Sequence, residues 1–201
     1  MRDRDLVRLH WPSALRPAFD ALFGLDDAMA RVVATSTQPA LGAIKLAWWR
    51  EQLEQLDSSQ PPAEPTLRAA AAELLARGIS GRELAEIEPG WATLLAERPD
   101  AELVAQRGRS LFALGARLLG GDSPGLAEAG AQFAFADVKR RRLGDWPDLP
   151  PPLRTRFARR LRPLTGLAAL AARDRRRGVE EAEATPARAW TLLRHRLTGR
   201  L

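Results

Sequence analysis

The sequence predicts an all-α fold, a single-domain helical bundle of about eight helices over residues 1–201. Three observations carry that prediction. Leucine and alanine dominate, and apolar residues recur at spacings of three and four with little strand-like alternation. Helix start and stop signals divide the chain into segments of ordinary helix length. Hydrophobic residues make up 45% and charged residues 28% of 201, which supplies one sizeable core and is wrong for a disordered chain. There is no internal repeat and no heptad long enough for a coiled coil.

The first helix is expected over residues 13–35 and the second over 39–57. SSQPPAEP at 58–65 reads as an internal linker, followed by a short helix over 66–77 that ends at Gly78. Ser80 and Glu83 make an S-x-x-E capping box. The segment it opens is broken or kinked at Pro89 and Gly90. Asp100 caps a long helix that stops at Gly120-Gly121. Ser123-Pro124 opens the next, which runs to about Leu143. GDWPDLPPP is a turn stiffened by prolines, and a long arginine-rich helix follows, bent at Pro163 and ending at Gly178. Thr185-Pro186 starts a last helix through Leu197.

Composition removes several chemistries. With no cysteine there are no disulfides, thiolate metal sites or cysteine nucleophiles. The two histidines, His10 and His195, lie far apart, which argues against a histidine metal site or a serine–histidine triad. No run of about 18 apolar residues suits a membrane span, and MRDRDLVRLHWPS has no apolar leader. The expected compartment is the cytoplasm, with or without peripheral association at the inner membrane face. Charge is uneven: residues 138–201 carry 17 Lys/Arg and 6 Asp/Glu, a net of +11, whereas residues 1–137 carry 14 and 19, a net of −5. Only Lys45 and Lys139 are lysines. The basic half hints at an anionic partner: diphosphate, membrane surface or nucleic acid.

Ionisable residues interrupt three apolar stripes. On the second helix, Leu41, Trp48, Trp49, Leu53 and Leu56 share one broad arc, and Lys45 falls in its middle. On the first, Asp26 lies in the stripe Leu15, Phe19, Leu22, Met29 and Val33. After Pro124, Leu126, Gly130, Phe133 and Asp137 repeat the pattern, with Arg141 one turn on. Burying such groups without partners is costly. They are therefore expected to pair, Asp26 with Lys45 and Asp137 with Arg141, or to line a polar cavity within the bundle. Gly108 and Gly115, seven apart on one helix face, point to tight helix contact.

ALFGLDDAMARVV followed by QPALGAIKLAWWREQL resembles the N-terminal part of the squalene/phytoene synthase family. It is most similar to divergent members with a WWR segment, which include mitochondrial complex I assembly factors. RGRSLFALGARLLGG and AGAQFAFADVKRRR resemble later helices of that family, in the right order, so the likeness spans about residues 13–175. The resemblance implies an isoprenoid synthase-like fold and head-to-head joining of two prenyl diphosphates. In that family two D-x-x-x-D motifs on facing helices hold Mg²⁺ against the diphosphate, since carboxylates at i and i+4 share a face and Mg²⁺ prefers oxygen ligands. Carried onto this chain, Asp26, Asp27 and Asp137 are the candidate catalytic carboxylates. Lys45 and Arg141 are the candidate diphosphate-binding residues, and Trp48, Trp49 and Phe133 the candidate cavity lining. The chain departs from the pattern at both motifs: Asp26 is followed at i+4 by Ala30, Asp27 by Arg31 and Asp137 by Arg141.

Three functions are compatible with these residues. The first is a family-like protein with weakened or lost Mg²⁺-dependent transfer that binds an isoprenoid or a protein partner. The second is an active prenyl transferase, the only case in which Mg²⁺ is implied as cofactor. The third is a basic module using KRRR (139–142) and RDRRR (173–177) on an anionic membrane surface or nucleic acid. A milder form of it lays an amphipathic helix over 153–177 on the membrane. Nucleic acid is the weakest partner, since no helix-turn-helix or zinc signature is present. Neither histidine is assigned a catalytic role.

Overall fold

A computed structural model describes residues 2–146, 153–178 and 181–201. Its helices are α1 (Asp3–Arg8), α2 (Arg16–Thr35), α3 (Pro39–Gln55), α4 (Pro65–Glu73), α5 (Gly81–Ala85), α6 (Glu88–Ala92), α7 (Ala101–Leu118), α8 (Leu126–Arg140), α9 (Arg162–Arg177) and α10 (Pro186–Thr198). Short 3₁₀ turns at Ser13–Leu15, Leu75–Arg77 and Thr93–Leu95 join some of them. No named strand occurs among the described residues, so the all-α expectation holds.

Most expected boundaries follow from the caps. Ser80 and Glu83 form the reciprocal capping box, with Glu83 N donating to Ser80 Oγ at 3.2 Å and Ser80 N to Glu83 Oε2 at 2.9 Å. Asp100 Oδ1 accepts from Glu102 N at 2.8 Å at the start of α7. The segment opened by Ser80 breaks before Pro89 as expected, between α5 and α6, whereas Pro163 departs from expectation. Pro89 and Pro163 each sit in the first turn of a helix, α6 and α9, where the missing N–H costs nothing. Residues 153–161 thus lie outside α9, and Pro163 does not bend it. Of the proline turn, residues 147–152 lie outside the described residues.

α9 is the hub. Every residue from Pro163 to Ala172 is buried, against α8, α10 and α1. Its arginines lie at its two ends, Arg162 at the start and Arg173, Arg175, Arg176 and Arg177 in the last turns, and residues 153–161 are not helical, so the expected amphipathic surface helix over 153–177 is not formed. The most extensive helix contact is α7 on α8. It depends on Gly108 and Gly130: a Cβ on Gly108 would stand 2.1 Å from the Gly130 carbonyl oxygen, and one on Gly130 2.3 Å from that of Gly108. The two backbones touch there, which brings Arg107 on α7 within reach of Asp137 on α8.

α3 overturns the expected orientation. Its buried face is Gly42, Leu46, Trp49 and Leu53, whereas Leu41, Ile44, Lys45 and Trp48 face solvent. Trp49 is 8% exposed and Trp48 41%, their rings meeting edge to face at 5.4 Å. Adjacent residues lie 100° apart, so a helix with apolar side chains nearly all round can bury only one of them fully. Gly42, which a wheel of large apolar residues ignores, marks the true contact face against Ser36 and Leu95.

Candidate functional site

α1, α2, α7 and α8 aim charged groups at one another, and α6 adds a tryptophan. Asp26 on α2 is fully buried, as is Arg107 on α7. Arg107 Nε donates to Asp26 Oδ1 at 2.7 Å and its Nη2 to Asp26 Oδ2 at 2.9 Å, a bidentate pair. The same Nη2 donates to Asp137 Oδ2 at 2.6 Å. Trp91 on α6 donates from Nε1 to Asp26 Oδ1 at 2.8 Å, and its ring lies 3.7 Å below the Arg107 guanidinium. Arg141 Nε donates to Asp137 Oδ1 at 3.0 Å, and Arg141 Nη2 reaches Asp27 Oδ1 at 2.6 Å. Arg4 on α1 closes the chain on Asp27 Oδ2 and donates to the Phe23 carbonyl at 3.1 Å. Three carboxylates therefore alternate with three guanidiniums.

The electrostatics are self-consistent. Burial opposes the charge on Arg107, but Asp26 and Asp137 outweigh it and hold the guanidinium above its ordinary pKa. Burial likewise opposes ionisation of Asp137, and Arg107, Arg141 and Arg4 outweigh it, holding the carboxyl below the usual carboxylate range. Arg141 is raised for the same reason as Arg107.

A second lattice stands opposite. Arg188 on α10 is buried, donates from Nε to Asp3 Oδ1 at 2.8 Å, and pairs with Asp174 on α9. Arg140 Nη2 donates to Asp174 Oδ2 at 2.7 Å. Between the two lattices lies a cleft of about 660 Å³, a size ordinary for ligand sites. Its apolar lining includes Ala30, Phe133, Leu167 and Leu170. Arg31 and Arg142 stand exposed at its rim, with no carboxylate partner among the described residues.

The expected site residues divide accordingly. Asp27, Asp137, Arg141 and Phe133 line the cleft, and Asp26 is buried behind them. The Asp137–Arg141 pair forms. Lys45 is exposed on α3 and does not pair with Asp26, whose oxygens go to Arg107 and Trp91. Trp48 and Trp49 do not line the cleft: Trp48 is on the surface and Trp49 is in the core. Arg107, Trp91 and the Asp3–Arg188–Asp174 lattice were missed. The signal for Arg107 was available, since it interrupts the stripe Val104, Leu111 and Gly115 at spacings of three and four, as Asp26 interrupts its own.

The donor set does not suit a divalent cation. All six oxygens of Asp26, Asp27 and Asp137 accept from Arg or Trp N–H groups, and Mg²⁺ needs such oxygens free. Among the described residues no group of three His, Cys, Asp or Glu side chains is placed to hold a metal. Comparisons with family models, curated proteins and solved structures found no match for this chain.

Proposed function

We propose that the chain is a squalene/phytoene synthase-like protein that has exchanged Mg²⁺-dependent prenyl transfer for metal-free binding of an anionic isoprenoid in the cleft between the two lattices. The observation that carries this reading is the saturation of the three site carboxylates by Arg107, Arg141 and Arg4. A diphosphate normally meets metal ions bridged to carboxylates; here arginines already hold those carboxylates, and any Mg²⁺ would have to displace them. Arg31 stands where the family pattern places the fourth residue after Asp27. With Arg142 it offers uncommitted guanidiniums at the rim, suited to a phosphate or diphosphate head. The apolar lining accepts the hydrocarbon chain. No bond is made or broken in this reading; the protein holds or presents its ligand.

The test is direct binding of farnesyl and geranylgeranyl diphosphate in EDTA, followed by calorimetry. Arg31→Ala/Arg142→Ala should weaken the diphosphates at least tenfold and leave farnesol unaffected. Equal affinity in the variant would remove the rim from the account.

A protein partner is the second reading, favoured by the uncovered Leu41, Ile44 and Trp48 on α3. Under it, the cleft binds no isoprenoid and Trp48→Ser is the damaging change.

A further inference from the structure

α10 carries two faces with opposite fates. Its inner face, Arg188, Thr191, Leu192 and His195, is buried; Arg188 holds the cleft lattice, and Thr165 Oγ1 and His195 Nε2 lie 2.8 Å apart. Its outer face presents Trp190, Leu193 and Leu197, 65%, 42% and 69% exposed. Spacings of three and four put these large apolar side chains on one stripe. Arg194 flanks the stripe, exposed.

Beyond the helix end the chain doubles back. Phe157 N donates to the Gly199 carbonyl at 2.9 Å and Leu201 N to the Thr155 carbonyl at 3.2 Å. A shallow basin of about 580 Å³ forms there, lined by Leu153, Arg154, Arg156, Arg176, Arg200 and Leu201 among others. None of Arg154, Arg156, Arg176, Arg194 and Arg200 has a carboxylate partner among the described residues. Their crowding is felt: burial and then the neighbouring Arg194 and Arg173 hold Arg176 below its ordinary pKa.

We infer that the outer face of α10, with this arginine basin, seats the protein on an anionic lipid surface, Trp190, Leu193 and Leu197 entering the headgroup boundary and the arginines meeting lipid phosphates. An in-plane helix with an apolar stripe and flanking cations binds such surfaces by both terms together. No helix among the described residues is long and apolar enough to cross a membrane, so the contact is one of lying on the surface. Charge complementarity selects lipid over a protein partner: uncompensated arginines beside tryptophan and leucine suit acyl chains capped by phosphate. The inference stands apart from the cleft reading, although α10 serves both, since its inner face forms the cleft wall and its outer face the lipid contact.

The test is co-sedimentation of the full chain with phosphatidylcholine vesicles, with and without about one-third phosphatidylglycerol. Binding is expected only to the anionic vesicles. Trp190→Ser/Leu193→Ser/Leu197→Ser should lower the partition coefficient at least tenfold, with the circular dichroism spectrum and melting point unchanged because all three are exposed. Arg194→Ser and Arg200→Ser should each cost about fivefold. Lipids brominated in the acyl chain should quench the bound protein's fluorescence, and Trp190→Phe should remove that quenching while binding persists. No binding to anionic vesicles overturns the proposal. So does undiminished binding by the triple Ser variant, and so does quenching that survives Trp190→Phe, which would place Trp48 at the lipid instead.

Discussion

Arg107→Met probes the centre of the molecule. Arg107 and Asp26 are both fully buried, and Arg107 makes three hydrogen bonds to two carboxylates while stacking on Trp91. Met fills much of the stem volume but leaves the buried Asp26 carboxyl with Trp91 Nε1 as its remaining side-chain donor, and Asp137 with Arg141. Removing one partner of a buried pair costs about 3–5 kcal/mol. In a chain of this size that corresponds to a melting-point drop of roughly 6–20 °C, a large share of a typical total stability of about 5–15 kcal/mol. The assay is urea unfolding, read as a lower midpoint at unchanged slope. Asp26→Leu/Arg107→Met removes both charges, and it should recover at least about 2 kcal/mol relative to Arg107→Met because the stranded carboxylate is gone. A loss below about 1 kcal/mol for Arg107→Met, or a double variant as unstable as the two single losses added, would refute the reasoning.

Three further expectations follow from the packing and the titrating groups. Gly108→Ala should destabilise by at least about 1–3 kcal/mol, because its Cβ would press on the Gly130 carbonyl and the α7–α8 contact cannot relax without moving two backbones; thermal unfolding reads it. Trp49→Ala should cost about 3–5 kcal/mol, whereas Trp48→Ser and Lys45→Ala should fall within about 0.5 kcal/mol of wild type; the opposite ranking would restore the inward-facing Lys45. Burial, with nearby arginines, lowers the pKa of both His10 and His195. The unfolded chain therefore binds more protons, so stability is complete above the ordinary value of about 6.5 and declines as pH falls toward the folded values. Urea midpoints across pH 5–8 check this, and a midpoint that rises on acidification would contradict it.

How far the sequence could be read depended on whether a stripe had one solution. The stripes around Asp26 and Asp137 each had a single apolar arc, and both faces were placed correctly. α3 did not: Leu41, Ile44, Trp48, Leu46, Trp49 and Leu53 surround it, and only packing against Ser36 and Leu95 at Gly42 chooses between arcs. Lys45 was therefore assigned to the core, and Asp26 to the wrong cation. Arg107 interrupts its stripe as Asp26 does, but an arginine's long aliphatic stem can cover an apolar face while its head stays in water, so the stripe position alone does not bury it. Pro163 was read as a bend because periodicity alone does not say on which side of a proline the helix begins. The Arg188 lattice joins residues 3, 174 and 188, a pairing between chain ends that local pattern cannot supply.

The central claim is that arginines have taken the place of metal at the site carboxylates. Melting temperature with farnesyl diphosphate, measured in EDTA and in excess Mg²⁺, tests it most directly, because a ligand that binds the folded chain raises the melting point by mass action. The account predicts an upward shift in EDTA that Mg²⁺ does not enlarge. A shift that appears only with Mg²⁺ would mean that the carboxylates release their arginines for the ion, and that the chain is a metal-dependent prenyl diphosphate enzyme after all.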